Sequence, residues 1–170
     1  MNPNQSKGAT LAITLLILFI ITLIGVSSIR VTLMQEKMST NLQDKELSFN
    51  AAETGLAAGE SWLLSQSIQP AVYVQCSVYP CVVEVYDSTN LDEQSNSWWS
   101  SNSAEYGSDL DNVATRPRYI IEFLQFVPDT PEIGNSNAQN GVFYYQITAR
   151  GTGSSNDSAS TIQATVARRF

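Results

Sequence analysis

Histidine is absent from this 170-residue sequence. Its absence removes the commonest general base near neutral pH, the usual Ser–His and Cys–His nucleophile arrangements and most zinc sites. Cationic charge is scarce: nine Lys and Arg stand against sixteen Asp and Glu, for a formal net charge of −7. An acidic surface repels phosphate, so nucleic acid is not expected as a direct partner. Proline is missing between Pro3 and Pro70, so nothing there forces a helix to break. Cysteine occurs only at Cys76 and Cys81, in CSVYPC. Two thiols alone make a poor metal site, and neither a metal nor another cofactor is expected. In an exported chain the pair reads as one local disulfide; in a cytosolic chain it reads as two buried thiols.

Charge of either sign disappears from Ala9 to Ile29, ATLAITLLILFIITLIGVSSI, a run of 21 residues. As a helix this run is about 30 Å long, enough to cross a bilayer. Lys7 precedes it, and the positive-inside rule puts Lys7 in the cytoplasm and the bulk of the chain outside. An ordinary secretory signal has a shorter apolar region ending at small residues, and GVSSIR matches that poorly. Composition does not separate the remaining choice, an uncleaved signal anchor.

Past Arg30 the apolar residues keep helical spacing: Val31, Met34, Met38, Leu42, Phe49, Ala52, Leu56 and Leu63. Glu36, Lys37, Asp44, Lys45, Glu46, Glu53 and Glu60 occupy the other face. The spacing predicts one helix to about Ser65, whose first half wants lipid or other apolar helices and whose second half wants its stripe covered by a domain.

After Pro70 the pattern turns to alternation. AVYVQCSVYPCVVEVYD reads as two short strands around a turn that Cys76 and Cys81 would close. Three longer strands are expected at Arg118–Val127, Val142–Ala149 and Ser160–Arg168, the last two joined by the loop GTGSSNDS. Between them LDEQSNSWWSSNSAEYGSDLDN reads as a long loop with room for a short helix. Of its adjacent Trp98 and Trp99, either one ring packs beneath the loop or the pair is a contact surface. Glu84, Asp87, Asp92, Glu93, Glu105, Asp109 and Asp111 form an acidic run with no Lys or Arg among them, read as a solvated loop against the alternative of an acidic binding face. Asp109, Asp111 and Asn112 start like a calcium loop, but Val113 and Ala114 break the pattern. The fold class is α+β: a long N-terminal helix, half membrane and half amphipathic, packed against a small antiparallel sheet. The expected divisions are a short segment 1–8, then 9–29 as a transmembrane helix, 30–65 as its amphipathic extension, and 66–170 as a β-rich head.

KGATLAITLLILFIITLIG resembles a type IV prepilin leader with its hydrophobic segment. SIRVTLMQEKMSTNLQDKELSFNAAETGLAAGESWL is similar to the N-terminus of PilX-type minor pilins. PRYIIEFL and YYQITARGTGSSNDSASTIQATVARRF resemble their heads, whereas residues 66–112 match nothing. The resemblance implies a pilin-like fold and a structural role in type IV pilus assembly, in the priming or tip complex. Its implied partners are other minor pilins, the major pilin, prepilin peptidase and inner-membrane lipid. It further implies that 1–8 are a leader cleaved between Gly8 and Ala9, with Lys7 as the leader charge and methylation of the new N-terminus at Ala9, and that 9–29 form the fibre core. The head would lie in the periplasm and then on the fibre, whose functions include adhesion and twitching motility. Most pilins carry glutamate at the fifth mature position, thought to pair with the terminal amine of the subunit above; here that position is Ile13. A subunit at the tip has none above it, so the missing carboxylate implies a tip place. The rivals are a tip pseudopilin of type II secretion, whose head usually carries a large helical insertion, and a pilus-associated adhesin. An enzyme is disfavoured for want of histidine and of an acid–base pair.

Overall fold

The computed structural model describes residues 6–85, 90–129 and 140–170, with side chains from residue 9 onward. Asp87 of the acidic run and the side chain of Lys7 lie outside the described residues. The chain divides into two compact units, residues 1–42 and 43–170.

The first unit is helical. Helix α1 spans Ser6–Ser65 without interruption, as the lack of proline allows, and it continues into the second unit. From Ala9 to Leu42 every side chain is exposed. One 18-residue window has mean hydropathy 2.8 and no part of it is buried, so by length and composition this helix suffices to cross a membrane.

The second unit packs the last third of α1 against a sheet. Its strands are β1 (Val72–Tyr73), β2 (Val82–Glu84), β3 (Ala104–Glu105), β4 (Arg118–Pro128), β5 (Gly141–Thr152) and β6 (Ala159–Arg168). The order is β1–β2–β4–β5–β6, with β3 paired to β4 off that path. The long strands β4, β5 and β6 are antiparallel, and β4 is buried on both faces from Tyr119 to Glu122. The short strands differ from a plain hairpin: β1 pairs with β2 and β2 with β4 in parallel, because the loop through Cys76 and Cys81 returns the chain to the same direction. The sheet is therefore mixed at this edge.

Tyr119, Ile121, Tyr145, Ile147 and Ala149 form one buried layer with Leu63 of α1. The opposite face of the sheet carries a second, smaller core of Val83, Ile120, Leu91 and Trp99. A 3-10 turn at Leu91–Glu93 and helix α2 (Asn96–Asn102) supply the cover for this face. Both lie in the segment read as a polar loop. At the other end of the sheet Phe123, Phe126, Phe143, Tyr145 and Phe170 make a chain of ring contacts, the closest being Phe126 and Phe143 at 4.5 Å between centroids.

The buried face of α1 follows the expected stripe only in part: Ala52 and Leu63 are buried as expected. Phe49, also expected on it, is 45% exposed, and Leu56 is half-buried. Ser48, Ala51, Gly55 and Gly59 complete the buried face. The sheet comes too close for bulk. A Cβ on Gly59 would stand 2.9 Å from both Ile147 Cγ2 and Tyr119 Cδ2, and one on Gly55 would stand 3.1 Å from Pro117 Cβ. The small residues admit the sheet, and the apolar area it covers comes mainly from the strands.

Candidate functional site

Two regions of the molecule are equipped for association, and they differ in chemistry. The first is the apolar part of α1. Four of its hydroxyls bond within the helix: Thr14 Oγ1 donates to Leu11 O (2.9 Å), Thr22 to Phe19 O (2.7 Å), Ser28 to Ile24 O (3.0 Å) and Thr32 to Ser28 O (3.0 Å). With those donors internally bonded, the uncharged surface from Ala9 to Ile29 suits lipid or other apolar helices. Ala9 is exposed on it and Ile13 is 58% exposed. Lys7 and Gly8 are placed only as helix backbone.

The second is the head. One corner of it is formed by the loop that the Cys76–Cys81 disulfide closes, with the two Cα atoms 6.3 Å apart. A cleft of about 450 Å³ lined by Trp62, Gln66, Pro70, Tyr73, Val78 and Pro80 lies beside it, and Val74 and Val78 project with more than three-quarters of their surface exposed.

The covering segment is held by Trp99, one of the pair read as able to pack beneath the loop, and by Arg150, which lies outside the segment. Trp99 is 1% exposed, and its indole Nε1 donates to Leu91 O at 3.0 Å; Trp98 stacks edge-on against it at 5.8 Å. One ring of the pair is thus buried beneath the segment. Ser95 caps α2 by accepting from Trp98 N. From β5, Arg150 donates to Gln94 O (3.1 Å) and Asn96 Oδ1 (3.0 Å), which ties turn and helix to the sheet.

The acidic run finds its cations further along the chain. Asp109 pairs with Arg116 at 2.7 Å and Glu105 with Arg118 at 3.4 Å. The Arg116 guanidinium, by hydrogen bond and charge, holds the Asp109 carboxyl below the usual carboxylate range. Asp109 is thereby engaged by an arginine in the stretch compared with a calcium loop, and Asn112 turns the chain there with φ 63°.

The loop between β5 and β6 docks on α1 through Asp44. Its carboxylate accepts from Ser154 N and Ser154 Oγ, both at 2.6 Å, and these bonds lower its pKa. Lys45 donates to Ala159 O, and Ser48 Oγ meets Ser160 Oγ at 2.7 Å. The spacing of small residues at 48, 51, 52, 55 and 59 was a signal for this seam; the Asp44 contact had none in the sequence.

These features define a class: an α+β subunit with a helix long and apolar enough to cross a membrane, whose apolar part is exposed among the described residues. The PilX N-terminal family model matches residues 7–57, and that of the type IV pilus assembly protein PilX C-term matches residues 45–168. The chain belongs to the PilX family of type IV pilus assembly proteins, a family of structural pilus components. No curated protein and no solved structure matches it.

Proposed function

We propose that this chain is a minor pilin that helps to start or cap the type IV pilus. It would enter the inner membrane as a prepilin with its head in the periplasm. Prepilin peptidase would cut between Gly8 and Ala9 and methylate Ala9. The observation that carries the reading is the uncharged helix surface from Ala9 to Ile29, exposed along its whole length and joined to a head with its own core. In the membrane, lipid covers it; in a fibre, the helices of other pilins do.

Ile13 supports a tip or priming place. A carboxylate there would need a neighbouring subunit's amine, whereas isoleucine needs only apolar cover. The tip pseudopilin of type II secretion is the weaker reading, since α2 at Asn96–Asn102 is a short cover for the sheet and not a large inserted helical domain. The exposed Val74 and Val78 favour an adhesive role as the second reading. Deletion of the gene with a count of surface pili tests the proposal. Loss of pili supports assembly; normal pili with lost attachment would transfer the role to adhesion.

A further inference from the structure

The two edges of the sheet end differently. On one side β1 is two residues long and runs into the disulfide-closed loop, so it offers little backbone to a further strand. On the other side β6 is ten residues long and pairs with β5 alone, in a register without a break from Ala159 to Arg168. About half of the N–H and C=O groups of such an edge strand point away from the sheet. Among the described residues, no hydrogen bond reaches the main chain of residues 160–167 from outside the sheet. Edges are ordinarily blunted by lysine, proline or a bulge. Residues 159–167, ASTIQATVA, carry no charge and no proline, and the one register shift of the β4–β5 pair lies at Phe123 and Gln125, away from β6.

We propose that β6 accepts a further strand from a different protein: an extended, uncharged segment in which apolar and polar residues alternate. The chemistry of the partner follows from β6. A row of N–H and C=O groups at strand spacing is satisfied by another main chain in register. Ile162 and Val166 are half-buried against the core that faces α1, so the added strand would lay apolar residues beside them. Gln163, Thr165 and Ala167 alternate with these and are exposed, so the partner's intervening residues stay in water and are polar. A charged residue in the partner would find no counter-charge on this strand.

A second copy of the same edge does not fit. α1 runs beside β6 in the same direction: Lys45 meets Ala159, Ser48 meets Ser160, and Arg168 meets Gln66, just past the helix. Two β6 edges joined by a two-fold axis would pair antiparallel, and their α1 helices would then run in opposite directions. Two chains anchored in one bilayer cannot meet in that way; this step alone rests on the anchoring proposed above.

The test is photo-crosslinking in cells that make the full chain, with benzoylphenylalanine replacing Gln163, Thr165 or Ala167 in turn, and mass spectrometry of the adducts. The expected adducts fall on one segment of one other protein and advance along it by two residues at each step of two along β6. The direction of advance tells parallel from antiparallel pairing. In the full chain alone in detergent micelles, alternate amides within 160–167 should lack protection from hydrogen exchange while those between them keep it. Adducts to a second copy of this chain, adducts that do not advance in step, absence of any adduct, or protection of every amide in that stretch would overturn the proposal. None of those results touches the pilus count after gene deletion, so the two ideas fail separately.

Discussion

Gly151 of β5 and Ala52 of α1 meet backbone to backbone: a Cβ on residue 151 would collide with Ala52 N and stand 2.5 Å from Ser48 O and 2.7 Å from Ala51 C. Main chain gives way far less readily than the end of a side chain. Gly151→Ala should therefore push the sheet off the helix and destabilise the head by about 1–3 kcal/mol. Gly107→Ala, where a Cβ meets nothing within 4 Å, serves as the control. Denaturant unfolding of the full chain in micelles, followed by tryptophan fluorescence, checks it; equal midpoints for the two variants would refute the close seam.

Asp44 makes this docking dependent on pH. Its hydrogen bonds from Ser154 lower its folded pKa, so its contribution is fully present above the unfolded value of about 3.9. It is lost as pH falls through the lower folded value. The protection of the Ser154 amide, taken against its intrinsic exchange rate at each pH, should be high at neutral pH and be lost in acid, with a midpoint below the ordinary carboxylate value. In Asp44→Ala the protection should be absent throughout. A midpoint above the ordinary carboxylate value would contradict the contact.

The two tryptophans should separate clearly on mutation. Trp99 fills the core beneath the covering segment, so Trp99→Ala should cost about 3–5 kcal/mol and loosen Leu91 with it. Trp98 is half-buried, and Trp98→Ala should cost less than half as much. Thermal melts of both variants decide the matter, and the reverse order would mean that the wrong ring anchors the segment.

The long helix and the long strands were legible because each has a strong local cause. No proline interrupts residues 4–69, and the runs 118–127, 142–149 and 160–168 are bounded by turn residues and read as strands. The buried face of α1 was misread at Phe49 because hydropathy ranks residues by side-chain area, whereas this contact was decided by how closely two backbones approach. The parallel pairing of β1 and β2 was not legible either. Strands of two and three residues carry little register information of their own, and their partners are set by β4. The cations that meet Glu105 and Asp109 lie beyond the acidic run, so charge counting within the run did not find them.

Ile13 tests the tip assignment within the apolar surface. Ile13→Glu would place a carboxylate in the bilayer with no dedicated partner, at a cost on the order of 3 kcal/mol on insertion scales. Poorer insertion or fewer pili is the expected outcome. Greater incorporation along the fibre would instead mean that the missing carboxylate keeps the subunit rare. Unchanged abundance, location and piliation would remove the tip assignment's main support.

The central claim is that this chain is processed as a prepilin and enters the fibre through its bare apolar helix. Mass spectrometry of the protein recovered from sheared pili tests it most directly. The expected result is a mature chain that begins at N-methylated Ala9, with the eight residues before it gone. An intact Met1 on protein from the fibre, or absence of the chain from sheared pili while it accumulates in the membrane, would contradict it.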